Sequence, residues 1–146
     1  MVNPKELQII TELRRNARES LTEISRHTHI PISTIYSKLL NFRGDIIKRH
    51  TSLLDFEALG YHTLAMVFIS CEQSQREQLT NALLKSGHIN SVFKLNNEYQ
   101  LMFEGIFRYV ADVDSFLDSL ETRFKITKRK ILYIAKELRR EGFELS

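Results

Sequence analysis

The stretch PISTIYSKLLNFRGDIIKRH, Pro31 to His50, decides how this chain folds. Its first half predicts a helix over about residues 32–42, since apolar side chains recur there at the spacing that puts them on one helical face. The residues expected to point inward are Ile32, Ile35, Leu39 and Phe42. The second half carries β-branched residues and ends in Lys-Arg-His, which predicts a short strand within IIKRHTSLL.

Two further helices are expected before this stretch. Pro4 suits the first position of a helix that continues to about Asn16. Ser20 and Glu23 form a capping-box pattern that opens a second, short helix, which HTHIP interrupts because Pro31 disfavours helical geometry at the preceding residue. Three short helices followed by a strand describe a winged helix-turn-helix.

The outer face of the third helix carries hydroxyl, amide and ammonium groups, which donate to phosphates and bond to base edges in a major groove. The predicted DNA-binding residues of this helix are Ser33, Thr34, Tyr36, Ser37, Lys38 and Asn41. Lys48 and Arg49 on the following strand would contact the DNA backbone. The alternative is that the helix residues form an ordinary solvated face and that Lys48 and Arg49 belong to an exposed run of charges without a binding role.

Charge is distributed unevenly along the chain. Residues 1–50 hold nine Lys/Arg against five Asp/Glu, whereas residues 51–146 hold twelve against thirteen. The single cysteine, Cys71, excludes an internal disulfide and fits a reducing cytoplasm. We expect a cytoplasmic protein without a signal peptide or membrane contact, because no apolar run is long enough to span a bilayer.

The remainder of the chain predicts strands and helices in the order β-α-β-β-α-β. This order is typical of a ferredoxin-like, four-stranded antiparallel sheet with two helices on one face. The last helix is expected over about Asp112–Phe124, with Asp112 as its cap. The fold class is therefore α+β, with a winged helix-turn-helix at residues 1–51, a linker at 52–61 and a ferredoxin-like domain at 62–146.

Several segments resemble the Lrp/AsnC family of bacterial and archaeal transcription regulators. They are IITELRRNARESLTEIS, STIYSKL and DIIKRHTSLLDFEALGY, together with the β-α-β-β-α-β remainder. The motif NAR at Asn16–Arg18, the spacing of Ser20 to Ser25 and LGY at Leu59–Tyr61 are the most specific pieces. The match covers essentially the whole chain.

The resemblance implies a sequence-specific regulator that binds pseudo-palindromic double-stranded DNA as a homodimer, with further assembly into tetramers or octamers. It also implies a small-molecule effector, commonly an amino acid, sensed by the second domain. The candidate effector-binding residues are Asn97, Glu98, Tyr99 and Gln100.

Two positions depart from the family pattern. Pro31 stands where a serine usually starts the recognition helix, which alters the cap. The turn between the middle strands of the second domain usually reads Gly-x-Tyr-Asp, and here it is Asn97-Glu98-Tyr99-Gln100. The glycine that lets a ligand approach the backbone and the acidic group suited to an amino group are both replaced.

Two other functions are alternatives to the specific regulator. One is a chromatin-like protein that coats DNA with little base readout; the other is an enzyme similar to the sirohaem decarboxylases, which resemble this family in both domains. The absence of tryptophan and the slightly negative second domain argue against the enzyme. We expect no catalytic residues, no cofactor and no metal, since His27 and His29 lack Cys, Asp or Glu partners at ligand spacing.

Overall fold

A computed structural model describes residues 1–145 and divides into two compact units. The first contains residues Met1–Leu53 together with the described part of the tail from Arg139 onward, and the second contains Leu54–Leu138. Ser146, the last residue of the expected second domain, lies outside the described residues. No described helix is both long and apolar enough to cross a membrane.

The first unit is built on three helices, α1 (Pro4–Arg15), α2 (Leu21–Thr28) and α3 (Ile32–Phe42). Their apolar faces meet in one small core, formed by Ile9, Ile24, Ile30, Ile35 and Phe42. Between α2 and α3, His29 takes the left-handed conformation at φ 58°, a region in which histidine is enriched among non-glycine residues. Ser25 Oγ donates to the Ile30 carbonyl at 2.6 Å and stabilises this turn.

Capping side chains define where the first two helices begin. The Asn3 side chain accepts from Glu6 N, and Glu6 Oε2 accepts from Asn3 N, both at 2.9 Å, so α1 carries a reciprocal capping box. The box expected on α2 is only half present. Ser20 Oγ accepts from Glu23 N at 3.1 Å, but the Glu23 carboxylate binds Arg26 at 2.8 Å instead of returning to Ser20.

The strand predicted within IIKRHTSLL is wrong. After α3 there is one isolated bridge between Arg43 and Ile47, and residues 48–55 form no strand. A strand needs a partner to satisfy its N–H and C=O groups, and no described strand pairs with this segment. The segment carrying Lys48 and Arg49 is therefore an exposed irregular arm.

The second unit confirms the predicted β-α-β-β-α-β order and the α+β fold class. Its strands are β1 (Thr63–Cys71), β2 (Ile89–Lys94), β3 (Leu101–Phe107) and β4 (Ile126–Tyr133), arranged as β2-β3-β1-β4 with antiparallel neighbours. The helices are α4 (Arg76–Lys85), preceded by a single 3-10 turn, and α5 (Val110–Arg123).

One face of the sheet packs against these helices, because alternate residues of β1 and β3 point to the same side. This core contains Ala65, Val67, Ile69, Leu79, Leu83, Leu101, Phe103, Phe107, Val113, Leu117 and Leu120. The intervening residues lie on the opposite face, which we call the open face. Its apolar members include Leu64, Met66, Phe68, Met102 and Ile106, all only partly buried.

The start of α5 differs from the prediction. The helix begins at Val110, and Asp112 lies in its first turn rather than at the cap. Asp112 Oδ2 accepts a hydrogen bond from Tyr109 N at 3.2 Å, so the carboxylate still stabilises the helix start from within.

Candidate nucleic-acid interface and the Asn97–Gln100 turn

The outer face of α3 is polar and solvent-exposed. Ile35 is fully buried and Phe42 is nearly so, which fixes the orientation of the helix. The exposed side chains are Ser33, Thr34, Tyr36, Ser37, Leu40 and Asn41. Ile32, expected to point inward, is 46% exposed, because it lies at the edge of the buried stripe.

The start of α3 has no side-chain cap. Pro31 occupies the capping position and offers no side-chain acceptor to the first turn, in agreement with the altered cap expected from the sequence. The N–H groups at a helix start are suited to binding an anion such as a phosphate when no side chain satisfies them.

Lys38 differs from the other predicted DNA-binding residues of α3. Its Nζ lies 2.7 Å from Glu6 Oε1 on α1, and both side chains are partly buried. The hydrogen bond from Lys38, together with that from the Asn3 N–H, lowers the pKa of Glu6 below its ordinary value. Lys38 thus joins α3 to α1 and lies at the flank of the exposed face.

Replacing Lys38 by methionine is expected to destabilise the first unit at neutral pH and to matter less in acid. A lowered folded-state pKa of Glu6 contributes stability that is complete above its ordinary value of 4.5 and is lost as the pH falls through the lowered value. The measurement is the difference in Tm between wild type and Lys38→Met from neutral pH to about pH 3. Lys5→Met, which removes an exposed α1 lysine, is the control; a difference that stays constant with pH contradicts the prediction.

Three cations at the end of α3 form a second candidate surface, which we call the basic arm: Arg43, Lys48 and Arg49. All three are exposed, and no carboxylate among residues 1–145 forms an ion pair with them. By contrast, Arg14 of the same unit binds Glu141 at 2.9 Å and Arg26 binds Glu23 at 2.8 Å. Arg43 was not among the residues predicted to bind DNA, although it directly follows Phe42, the last apolar residue of α3.

The basic strand β4 is a different case. This strand and the residue before it carry four cations. Three of them have a carboxylate partner, since Lys125 binds Glu72 at 3.0 Å, Lys128 binds Glu98 at 2.9 Å and Arg129 binds Glu121 at 3.1 Å, whereas Lys130 forms no ion pair among residues 1–145. This edge of the sheet is therefore expected to attract a polyanion less strongly than its number of lysines and arginines suggests.

The turn from Asn97 to Gln100 lies between β2 and β3 and is held by its own polar groups. Asn97 Oδ1 accepts from Tyr99 N at 2.8 Å, and Gln100 Oε1 accepts from Cys71 N at 3.3 Å. The Glu98 carboxylate accepts from Lys128, which lowers the pKa of Glu98 and raises that of Lys128. The four predicted effector residues are adjacent, but three of their polar side chains are already engaged.

Cys71 and His27 are both held in structural surroundings. Cys71 is buried, and burial raises the pKa of its thiol, which fits a packed residue. His27 Nδ1 lies 2.8 Å from Glu12 Oε2. Within the part of the chain that the structure describes, no group of three or more His, Cys, Asp or Glu side chains could hold a metal ion.

Curated proteins similar to this chain are helix-turn-helix transcriptional regulators from archaea. An uncharacterized HTH-type transcriptional regulator of Pyrococcus furiosus is 24% identical over 139 residues, covering 94% of this chain and 93% of the relative. The HTH-type transcriptional regulator FL11 of Pyrococcus horikoshii is 28% identical over 112 residues, covering 76% and 74%. No protein-family model matches the chain.

Solved structures match almost the entire fold. A transcriptional regulator of Neisseria meningitidis in complex with L-methionine has a TM-score of 0.90 at 19% identity, covering 100% of this chain and 97% of its own. AsnC of Escherichia coli has a TM-score of 0.84 at 14% identity, with 96% of both chains covered. Fold and site thus define a two-domain helix-turn-helix protein. Its fold is that of the Lrp/AsnC regulators, and the resemblance stated from the sequence is confirmed.

Proposed function

We propose that this protein is a sequence-specific, DNA-binding transcription regulator of the Lrp/AsnC type. Residues 1–51 would bind DNA, and the domain from residue 62 onward would assemble subunits and sense a small molecule. The observation that carries the proposal is the exposed polar face of α3 beside the unpaired cations of the basic arm. The curated relatives named as HTH-type transcriptional regulators support it.

The two surfaces have different roles in this proposal. Ser33, Thr34, Ser37 and Asn41 would contact base edges, where hydroxyl and amide groups discriminate between base pairs. Tyr36 and Leu40 would add apolar contacts, for example with thymine methyl groups. The basic arm would contact phosphates, which sets affinity and register without reading sequence. Lys38 would contribute to DNA binding only from the flank, since Glu6 holds its ammonium group.

Assembly of two copies through the open face would place two α3 helices on one pseudo-palindromic site. The open face carries its apolar side chains beside the charged Glu104 and Lys130, and its apolar edge members Phe93 and Leu132 are 49% and 44% exposed. A soluble protein gains by covering a contiguous apolar surface of this kind. A second copy of the chain covers it symmetrically, since a two-fold interface uses the same patch on both subunits.

The Ile106→Lys variant is expected to be monomeric at micromolar concentration, because it replaces an apolar side chain of the open face by a charged one. Sedimentation velocity on the full chain measures the change. Leu84→Lys is the matched control, since Leu84 is 64% exposed on α4 and therefore belongs to a different surface. If both variants sediment like the wild type, the open face is not the subunit interface.

The function itself is tested by binding to the DNA upstream of the protein's own gene, compared with random DNA of equal length at about 150 mM salt. A specific regulator protects a discrete site and binds it with an affinity well above that for random DNA. Equal affinity for both, with protection that spreads over any sequence, favours the DNA-coating protein instead. The effector is expected to be an amino acid, a proposal supported by the L-methionine complex of the Neisseria protein.

A further inference from the structure

The last described residues belong to the first unit rather than the second. We call residues 139–145 the returning segment, because they lie in the first unit although the strand before them, β4, lies in the second. Ile134 N still donates to the Leu64 carbonyl at 2.9 Å, so the pairing of β4 with β1 continues to that residue. Two pieces of chain therefore join the units, residues 54–62 and residues 135–138.

Arg14 of α1 holds the returning segment in place. Its Nη2 donates to Glu141 Oε2 at 2.9 Å and to the Glu141 carbonyl at 3.2 Å, and its Nε donates to the Phe143 carbonyl at 3.4 Å. A guanidinium group carries several donors in one plane, so it fixes the position of the groups that it binds. Because two of the acceptors are backbone carbonyls, Arg14 positions the main chain as well as the Glu141 carboxylate.

The returning segment folds into a turn that its local sequence alone does not favour. Glu141 takes the left-handed conformation at φ 54°, a region that residues with a Cβ atom rarely adopt. Arg139 Nη2 donates to the Gly142 carbonyl at 2.5 Å and closes the turn. A Cβ atom on residue 142 would displace the Arg139 side chain from this position. Such a conformation persists only where surrounding contacts stabilise it, so loss of the Arg14 contacts is expected to release the turn as well.

The contacts of the returning segment are weak enough to break reversibly. The side chains of Arg14 and Glu141 are 38% and 50% exposed, and Phe143 is 73% exposed, so the segment buries little apolar surface. Ion pairs at such exposure contribute little to stability and are screened by salt. We therefore expect docked and detached states of the segment to interconvert, with the detached state favoured by salt or by loss of either partner.

The two connections between the units differ in reach. Residues 135–138 span at most about 14 Å, whereas residues 54–62 span up to about 32 Å when fully extended. A docked returning segment closes the shorter connection and confines the first unit to a much smaller volume than the longer connection does alone. Confinement of a tethered module in this way sets its effective concentration at a second binding site.

We propose that the returning segment is a releasable second connection that fixes the separation of the two α3 helices in a dimer. With the segment docked on Arg14, the dimer binds half-sites within a narrow range of spacings. With the segment detached, residues 54–62 alone let the same dimer bind half-sites at several spacings. This role in spacing rests on the proposed function, whereas the docking on Arg14 does not.

The origin of the returning segment links it to subunit assembly. The segment follows β4, and Leu132 of β4 lies on the open face, opposite Met66. Assembly of two copies through the open face holds this strand in place, so the short connection that leaves it starts from a fixed point. A docked segment then relates each first unit to the subunit interface through only a few residues.

Docking is measured on the full-length protein without DNA, from ¹⁵N relaxation of the backbone amides of residues 141–145. The wild type is expected to give order parameters above about 0.6, and Arg14→Gln values well below that. Arg15→Gln is the matched control, because Arg15 follows Arg14 on α1 but pairs with Glu12, at 3.7 Å. This control should leave the order parameters of the returning segment unchanged. Circular dichroism confirms that each variant is folded.

The effect on DNA binding is measured with two copies of the half-site that the wild type selects, at the selected spacing and with two base pairs inserted or removed. The wild type is expected to lose at least about tenfold in affinity on each change, and Arg14→Gln less than about threefold. Arg15→Gln should behave like the wild type. Affinity for a single half-site, which needs only one first unit, should agree within about twofold among the three proteins.

The proposal is overturned if residues 141–145 are mobile in the wild type, or if Arg14→Gln leaves them as ordered as in the wild type. It is also overturned if Arg14→Gln releases the segment and still loses as much affinity as the wild type at altered spacings. Specific DNA binding in that case leaves the proposed function standing. Absence of specific DNA binding by the wild type rejects the proposed function and the role in spacing together, and the order parameters alone then decide whether the segment docks.

Discussion

Replacing Arg43, Lys48 and Arg49 together by glutamine is expected to weaken DNA binding about a hundredfold at ~150 mM salt. These three cations of the basic arm are exposed and unpaired among the described residues, so each is available to a phosphate. Each phosphate contact releases about one counterion, and its loss lowers the slope of log affinity against log salt by about one. The triple variant should therefore lose about three units of slope.

Fluorescence anisotropy with labelled DNA at several salt concentrations measures both quantities. The matched control replaces Lys125, Lys128 and Arg129 by glutamine, which removes the same charge from cations that already have carboxylate partners. This control should change the slope by less than one unit. An equal loss in the two triple variants would mean that net charge alone sets affinity, and that the basic arm has no special place in the interface.

The Ile35→Ala variant is expected to destabilise the helical unit by about 3 kcal/mol, within the usual range for deleting a fully buried isoleucine. Ile35 is 0% exposed and belongs to the same small core as Ile9, Ile24, Ile30 and Phe42. Small units bury little apolar surface and have little stability to lose. DNA binding should fall as a consequence of partial unfolding rather than of a lost contact.

Urea unfolding followed by the amide signals of α3 measures this effect without interference from the second unit. Ile32→Ala is the control on the same helix, since Ile32 is 46% exposed, and it should cost less than about 1 kcal/mol. Similar losses for the two variants would place both side chains in the core and would reverse the assigned orientation of α3.

Sequence periodicity correctly predicted those helices and strands whose positions depend on residues close together in the chain. Alternation in HTLAMVFISC identified β1, and the apolar stripe with Val113 and Leu117 identified α5, because both patterns bury one face of a regular element. Pro4 and Ser20 marked helix starts correctly for a similar reason, since capping depends on residues a few positions apart.

Features that depend on tertiary contacts were not predictable. The β-branched residues of IIKRHTSLL suggested a strand, yet a strand exists only where another strand pairs with it. The sequence alone suggested that the Lys38 ammonium group is free, whereas in the fold Glu6 of α1 lies 2.7 Å from it.

The central claim is that the exposed face of α3 reads base sequence. It is tested most directly by selecting bound sequences from random DNA with the wild type and with a Ser37→Ala, Asn41→Ala double variant. We predict that the wild type enriches a pseudo-palindromic motif, and that the double variant relaxes it at the base pairs those side chains contact while largely keeping its salt dependence. Enrichment of no motif by the wild type, or of the same motif by both proteins, would contradict the claim.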